Sequence, residues 1–323
     1  MSELAIIERI TARNPVRDGT ILGIGDDAAV LDLGGRAVVT HDMLVDGVHF
    51  RRATTGLRDL GWKALAVNLS DLAAMGAEPV AALVGLGLPT GALTDGDIDD
   101  LYAGMDDLAG AVGVTVAGGD VTSSPVLVLG VTALGRAAPD VEPVRRSGAR
   151  PGDALCVTGA LGAAAAGLRL LDDPQLLPGL AARDALVAAH RRPLPRLEAG
   201  RRLAHAGATA MMDLSDGLVL DAGRMAAASG LRAVIDLAGL PVAGGVPDVA
   251  AALGLDVADL AAAGGEDYEL LAALPPAAVD ACRAALDVPL TVVGRLEAGA
   301  GVAIREADGA PWEPGPGGWL HAV

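Results

Sequence analysis

Lysine, cysteine and aromatic residues are scarce in this sequence. Its 323 residues include one lysine, Lys63, two cysteines, three Trp, two Tyr and one Phe. A Walker A loop needs Gly-Lys-Ser/Thr, and Trp62 precedes the lysine, so a P-loop nucleotidase is excluded. With 24 basic residues against 41 acidic ones, the formal charge is -17. The chain lacks the basic surface and the stacking platforms of nucleic-acid-binding proteins, so we expect no nucleic-acid partner.

Disulfide, zinc and membrane classes are also disfavoured. Cys156 and Cys282 lie far apart without CxxC spacing, which favours a reducing, cytoplasmic setting. Glu3 and Glu8 interrupt the first residues, which predict a short amphipathic helix and no signal peptide. The longest nearly apolar run, Pro79 to Pro89, is about half of what a spanning helix needs. We therefore expect no membrane segment.

Helical and strand-like patterns alternate along the chain, with 44 Gly and 19 Pro residues at the breaks. Together with 52% hydrophobic residues, this alternation predicts a globular α/β protein of two domains. The segment RAAPDVEPVRRSGARPGD is rich in Pro, Arg and Gly and shows no apolar period. We therefore predict an N-terminal domain over residues 1–137, a linker over 138–152 and a C-terminal α/β domain over 153–323.

Individual elements follow from the same patterns. In the first domain we expect helices over 57–76 and 94–111, and strands over 36–41, 80–88, TVAG and 126–134. In the second, helices alternate with strands at ALCVTG, GATAMMD, RAVIDL, GGEDYELLAAL, PLTVVGR and GVAIR.

Aspartates recur where predicted strands end. Asp42 follows one strand, Asp120 ends VAGGD, Asp213 ends MMD, and Asp216 follows shortly after it. Several lie beside glycine, where the backbone can approach a ligand closely. These positions are typical of a binding site at the edges of sheets.

The segment GIGDDA, residues 23–28, matches a loose GxGxxA pattern. Asp26 and Asp27 would stand where a pyrophosphate needs backbone N–H donors, and a strand pattern follows, so we reject a dinucleotide-binding fold. A solvated turn is the alternative to a site here.

Asp71 lies in WKALAVNLSDLAAMGA, a helix with mostly apolar neighbours, and Asn68 shares its face. A buried carboxylate needs a partner, and Lys63 is two turns away, so a metal ligand is favoured over a structural Asp. Several converging carboxylates would repel by about 4 kcal/mol per pair at about 4 Å and an effective dielectric near 20. Such a cluster needs cations, and oxygen ligands suit Mg²⁺, which shares its shell with water and phosphate.

Other motifs leave alternatives open. GGEDYELL, with Glu266, Asp267 and Glu269, is either a solvated turn or part of a site, and Trp319 either fills a core or walls a pocket. His190, His205 and His321 have no zinc-ligand spacing, and no GxSxG elbow is present.

Taken in order, GIGDDAAVL, THDMLVDGVHF, KALAVNLSDLAAMGAEP, the GGD corner, RRSGARPGD, MMDLSDGL and GGEDYELL resemble the thiamine-monophosphate kinase family. That family belongs to the superfamily of aminoimidazole ribonucleotide synthetase and selenophosphate synthetase. The resemblance covers nearly the whole chain. It implies a two-domain synthetase-like kinase fold, N-terminal sheets that pair across a homodimer, and ATP in a cleft lined by both domains. The implied reaction moves the γ-phosphoryl group of ATP to thiamine monophosphate, yielding thiamine diphosphate.

The resemblance also implies roles for individual residues. Mg²⁺ ligands would be Asp27, Thr40, His41, Asp42, Asp71, Asp120, Asp213 and Asp216. ATP would contact Gly119, Arg146, Ser215 and Tyr102, and thiamine monophosphate would contact His49, Glu266 and Trp319. His41 departs from the family, which usually has Ser or Thr there. Its carbonyl would serve unchanged, whereas a hydroxyl ligand would be lost or replaced by nitrogen.

The implied chemistry is a direct, Mg-assisted in-line transfer between two phosphates. The acceptor phosphate is ionised near neutral pH, so no residue is assigned as a general base. Two alternatives remain: another ATP-dependent enzyme of the superfamily, and a noncatalytic module that binds nucleotide or divalent cations. Absence of cysteine before Cys156 disfavours a selenophosphate synthetase.

Overall fold

The structure is a computed structural model that describes residues 10, 15, 17–22 and 30–312. Asp27 and Trp319 lie outside these residues, so their predicted roles stay predictions. The chain divides into two compact units. Unit 1 comprises Met1–Leu72 and Ala77–Asp140, and unit 2 comprises Ala73–Gly76 and Val141–Val323.

Unit 1 contains a four-stranded sheet and two long helices. In chain order its elements are β1 (Thr20–Leu22), β2 (Val30–Leu31), β3 (Ala37–Val45), α1 (Leu57–Ala74), β4 (Glu78–Pro89), α2 (Asp95–Val112), β5 (Thr115–Ser124) and β6 (Val128–Arg136). The sheet order is β3-β6-β4-β5, in which β4 and β5 are parallel and the other pairs antiparallel. Strands β1 and β2 form a separate antiparallel pair.

Helix α2 begins and ends at residues suited to those positions. Thr94 caps its N-terminus with a reciprocal capping box to Asp97, and Gly113 ends it in the left-handed conformation. Two glycines let α2 cross α1 closely: a Cβ on Gly61 would lie 1.8 Å from the Leu101 carbonyl oxygen, and one on Gly104 would lie 1.8 Å from that of Arg58. The crossing fixes α1, which carries Asn68 and Asp71.

Unit 2 contains a six-stranded sheet with helices on both faces. Its elements are β7 (Ala154–Thr158), α3 (Ala163–Asp172), α4 (Arg183–Arg191), α5 (Leu197–His205), β8 (Ala210–Asp213), α6 (Leu218–Ser229), β9 (Leu231–Asp236), α7 (Val246–Leu253), α8 (Val257–Ala261), β10 (Leu270–Leu274), α9 (Val279–Ala285), β11 (Leu290–Ala298) and β12 (Gly301–Arg305). The order is β12-β9-β11-β7-β10-β8, in which β12 and β9 are parallel and the other pairs are antiparallel.

Alternation along β7 shows how this sheet is buried. Leu155 and Val157 join a core with α6, whereas Ala154 and Cys156 join a second core with α5 and α9. Both faces are therefore apolar, which explains the unbroken apolar run ALCV. The α/β prediction is confirmed, and no helix of the described residues is long and apolar enough to cross a membrane.

Two strand predictions differ from the structure. Strand β10 begins at Leu270, and not within GGED, because Glu266 and Tyr268 have left-handed φ values of 69° and 50°. Strands β3 and β5 run past Asp42 and Asp120, so these aspartates lie within strands and not after them. Asp213 is the last residue of β8, as expected.

Candidate functional site

Four polar residues of unit 1 join β3 to α1. Thr40 Oγ1 donates a hydrogen bond to Asp71 Oδ2 at 2.5 Å, and the Asp42 backbone N–H donates to Asn68 Oδ1 at 3.0 Å. Asn68 is fully buried and donates through Nδ2 to the Ala64 carbonyl. The predicted shared face of Asn68 and Asp71 is therefore aligned with the strand that carries Thr40 and Asp42.

Asp42 is in an unfavourable place for a charge. Desolvation raises its pKa, repulsion from Asp71 raises it further, and His41 lowers it. A cation held by both carboxylates would relieve this repulsion. The donors of Thr40, Asp42 and Asp71 are all oxygens, which is the chemistry Mg²⁺ prefers, so these residues fit that ion.

His41 is oriented differently from its neighbours. Its side chain is exposed, and Nδ1 lies 2.9 Å from Thr132 Oγ1. Because side chains alternate along a strand, the imidazole lies on the face opposite Thr40 and Asp42. A contact from His41 to an ion at Asp42 would therefore use its backbone carbonyl, and its role as a ligand stays a prediction.

Gly119 and Asp120 lie on β5, at the other edge of the sheet from β3. The register aligns Gly119 with Asp42 through Val84 and Val131, whereas Asp120 is one residue further along and exposed. A Cβ on Gly119 would lie 1.9 Å from the Val84 carbonyl oxygen, so glycine is required there. Asp120 therefore lies outside the row of Asp42, and its role as a ligand stays a prediction.

His49 and Tyr102 are the other predicted ligand contacts in unit 1. The Val45 backbone N–H donates to His49 Nδ1 at 3.1 Å, so the ring proton of a neutral His49 is on Nε2. Tyr102, on α2, is only 3% exposed, and burial raises the pKa of its hydroxyl. A nucleotide contact by Tyr102 would need the packing around α2 to open.

In unit 2, the LSD motif, residues 214–216, lies beside residues 265–269, which we call the GED segment. The Leu214 N–H donates to the Glu269 carbonyl at 2.8 Å, the Glu266 N–H to the Ser215 carbonyl at 2.8 Å, and the Tyr268 N–H to the Leu214 carbonyl at 2.9 Å. These bonds extend the pairing of β8 with β10. They bring together two segments that are far apart in the sequence.

Asp267 is turned inward from the GED segment. It accepts hydrogen bonds from the Gly162 N–H at 2.8 Å and the Ala164 N–H at 3.3 Å, at the start of α3. Burial raises its pKa to about 7, against the opposing effect of these N–H groups. Asp267 therefore caps a helix, which leaves Glu266 as the neighbour whose carboxylate is not used in this cap.

The two predicted metal ligands near β8 have different surroundings. Asp213 is buried, whereas Asp216 is partly exposed and forms an ion pair with Arg224, which also contacts buried Asp221 at 2.7 Å. The Asp216 N–H donates to Asp221 Oδ2 at 3.0 Å. Arg224 is therefore shared between the carboxylates of Asp216 and Asp221.

Arg146 lies in the segment that flanks β8, is exposed, and accepts a weak hydrogen bond from Ser229 Oγ at its carbonyl. Among the described residues, no three acidic, histidine or cysteine side chains converge on a metal position. The ATP, substrate and metal contacts of the predicted residues stay predictions.

Sequence reasoning missed three partners of the predicted residues: Arg224 at Asp216, Arg196 at Glu269 and His190 at Glu266. Arg224 lies three residues after Asp221 on the same helix, and this spacing could have indicated an ion pair close to Asp216. The other two partners are distant in the sequence, and no local pattern points to them.

The fold and the acidic motifs define a protein of the AIR synthase-related class. The family described as AIR synthase related protein, N-terminal domain, matches residues 25–137, and the corresponding C-terminal domain matches residues 150–306.

Similar proteins narrow the class. Thiamine-monophosphate kinase of Halobacterium salinarum is 38% identical over 305 residues, covering 94% of this chain and 96% of that protein. The crystal structure of thiamine-monophosphate kinase from Stenotrophomonas maltophilia K279a has a TM-score of 0.82 and 41% identity, covering 96% of this chain and 97% of that chain. A solved structure described as AaThiL complexed with AMPPCP and TMP has a TM-score of 0.80 and 33% identity, covering 99% of this chain and 96% of that chain. The chain belongs to the thiamine-monophosphate kinase family, which confirms the resemblance of its motifs.

Proposed function

We propose that this protein transfers the γ-phosphoryl group of ATP to thiamine monophosphate and so produces thiamine diphosphate. The names of the similar proteins support this activity, and one similar structure is a complex with AMPPCP and TMP. The observation in this structure that carries the proposal is the pair Asp42 and Asp71: Thr40 donates to the Asp71 carboxylate, Asn68 accepts from the Asp42 backbone N–H, and repulsion from Asp71 raises the pKa of Asp42.

Thr40, Asp42 and Asp71 would hold Mg²⁺ in unit 1. When bound, the ion would neutralise phosphate charge and align the transfer. The chain's own contribution is rigidity, because one bond between β3 and α1 holds the Asp71 carboxylate and the other holds the backbone of Asp42 before substrate arrives. The proposal also keeps Asp27, His41, Asp120, Asp213 and Asp216 as ligands of several ions.

Substrate recognition is the second part of the proposal. In unit 1, Gly119 and Tyr102 contact the nucleotide and His49 contacts thiamine monophosphate; in unit 2, Arg146 and Ser215 contact the nucleotide and Glu266 contacts thiamine monophosphate. Partial exposure of Glu266 and its strained backbone support its role, since such strain is often retained at ligand sites. Trp319 is proposed as an aromatic wall for the thiamine rings. No general base is required, because the acceptor phosphate has a second pKa of about 6.

A homodimer and a cytoplasmic location complete the proposal. Strand β3 is at the edge of its sheet, and its Val39 and Met43 side chains are 58% and 50% exposed. An open edge with exposed apolar side chains is suited to pairing with a second copy. Cys156 and Cys282 are buried free thiols, which suits a reducing compartment.

The test is to incubate the purified protein with Mg-ATP and thiamine monophosphate and to quantify thiamine diphosphate by chromatography. We expect product from the wild type and a loss of at least about a hundredfold in kcat/KM for Asp71→Asn, because one oxygen donor and one charge are removed. Asp140→Asn, an exposed aspartate in a turn of the same unit, is the matched control and should retain full activity.

Two outcomes would contradict the proposal. Wild-type protein that yields no more thiamine diphosphate than Asp71→Asn is not this kinase. ATP consumption without thiamine diphosphate would instead favour another acceptor, as in the related ATP-dependent enzymes of the superfamily.

A further inference from the structure

The segment from His190 to Arg196, HRRPLPR, contacts the GED segment at both of its ends. At one end Arg196 binds Glu269, with Nε 2.7 Å from Oε2 and Nη2 2.5 Å from Oε1. At the other, His190 Nδ1 lies 3.0 Å from Glu266 Oε2. These are two separate polar contacts between segments that are distant in the sequence.

The Arg196 end is structural. Glu269 is only 4% exposed, and its Oε2 also accepts a hydrogen bond from Thr158 Oγ1 at 2.7 Å. Thr158 in turn accepts from the Leu270 N–H at 2.8 Å. A Cβ on Gly159 would lie 2.0 Å from Glu269 Oε1, so nothing larger than glycine fits beside this carboxylate. Glu269 is thus fully engaged by protein groups and serves to anchor the segment.

The His190 end is different. The His190 side chain is 6% exposed, whereas that of Glu266 is 30% exposed. Nδ1 of His190 is shielded from solvent and makes no aligned hydrogen bond to any described residue. The Glu266 backbone is fixed by its bond to Ser215 and by its left-handed conformation. The buried imidazole therefore contributes to the direction of the Glu266 carboxylate through the 3.0 Å contact to Oε2.

We propose that His190 is a positioning residue that holds the Glu266 carboxylate toward thiamine monophosphate. This inference rests on the proposed function, in which Glu266 contacts that substrate. His190 is placed rigidly, because it is a buried residue near the C-terminus of α4 and because Arg196, which pairs with Glu269, fixes the segment that follows. With Oε2 in contact with the imidazole, the partly exposed carboxylate can accept a hydrogen bond from an amino group of the substrate or face its positively charged heterocycle. A guided carboxylate loses less freedom on binding than an unguided one.

Two substitutions at His190 separate positioning from packing. In His190→Asn the side-chain amide can donate from nearly the position of Nδ1, whereas His190→Leu fills similar space without a donor. We expect His190→Leu to raise the KM for thiamine monophosphate about tenfold, to change the KM for ATP less than twofold and to change kcat little. His190→Asn should recover most of the affinity, even if both variants unfold at lower temperature than the wild type.

Two further variants serve as controls. Glu266→Gln should raise the KM for thiamine monophosphate by itself, and adding His190→Leu should then have little further effect, because both act through one contact. His205→Leu is the matched histidine control, since His205 is an exposed residue of α5 whose Nδ1 is near the Arg201 carbonyl. Its kinetic constants should equal those of the wild type.

The proposal is overturned if His190→Asn is no better than His190→Leu, or if both KM values rise together. A wild type that forms no thiamine diphosphate would contradict the proposed function instead. In that case the contact between His190 and Glu266 is tested by ¹H–¹⁵N spectra of the histidine side chains. Glu266→Gln should move the Nδ1 resonance of His190 and leave that of His205 unchanged. An unmoved His190 resonance would overturn the positioning role independently of catalysis.

Discussion

At the scale of single residues, Asp42 illustrates a carboxylate that the folded chain keeps at a disadvantage. Its pKa is raised by desolvation and by Asp71. The folded protein therefore retains a proton at pH values where the unfolded chain, with an ordinary pKa of about 3.9, has released it. Stability contributed at this position is present at low pH and is lost as pH rises through the raised folded value.

We therefore predict that Asp42→Asn gains stability relative to the wild type as pH rises from 4 to 8, when both are free of metal. Added Mg²⁺ should stabilise the wild type and have much less effect on the variant, because the ion's ligand is gone. Thermal unfolding with EDTA or with Mg²⁺ measures both effects, with Asp140→Asn as the control. Parallel pH curves for Asp42→Asn and the wild type would contradict the prediction.

At the scale of elements, α3 depends on a residue from a distant part of the sequence. Its own N-cap is Gly162, which offers no side-chain hydrogen bond, and Asp267 supplies the acceptor. Because the folded pKa of Asp267 is raised to about 7, the wild type loses stability from this group as pH rises from about 4 to about 7.

Asp267→Asn keeps an oxygen acceptor but cannot ionise. We predict that the difference in unfolding free energy, wild type minus Asp267→Asn, becomes smaller as pH rises from 5 to 8. Asp267→Ala should be destabilised at pH 5 by about 1–2 kcal/mol, since the cap is lost altogether, and this difference should also become smaller as pH rises because alanine does not ionise. Urea unfolding at pH 5, 6.5 and 8 measures these differences. A wild-type advantage that grows with pH would show that the carboxylate is favoured in its ionised form.

At the scale of the whole molecule, the exposed apolar side chains of β3 bear on assembly. Val39 and Met43 lie on the same face of this edge strand, on the face that also carries His41. The proposed homodimer would cover these side chains, and a charge introduced there would be left buried and unpaired.

We predict that the wild type elutes at twice the 32.1 kDa chain mass and that Val39→Glu elutes as a monomer, as measured by light scattering after gel filtration. Val292→Glu is the matched control, because Val292 is 40% exposed on β11 of unit 2, and it should remain a dimer. A monomeric wild type would contradict the proposed assembly. Dissociation of both variants would show that the Val39 effect is not specific to β3.

The sequence by itself determined the class of the protein and most of its elements. Hydrophobic periodicity predicted α1, α2 and the central strands, and the ordered motifs indicated the family, because local spacing and glycine placement are written directly in the chain. The periodicity of apolar residues gave a wrong prediction where the backbone conformation is set by contacts with residues distant in the sequence. The residues 264–269 have a strand-like pattern, yet the bonds of Glu266 to Ser215 and of Asp267 to Gly162 hold them out of the extended form.

Only the tertiary structure decided which acidic residues have protein partners and which face one another. Asp42 and Asp71 are distant in the sequence. Their carboxylates come close enough to repel each other because hydrogen bonds join strand β3, which carries Asp42, to helix α1, which carries Asp71. His41 is adjacent to Asp42, but strand alternation turns it to the other face. The assignment of Arg196 to Glu269 and of His190 to Glu266 likewise required the folded chain. Long-range pairs of charged groups leave no periodic trace, since the free energy that selects them arises from burial and distance and not from sequence spacing.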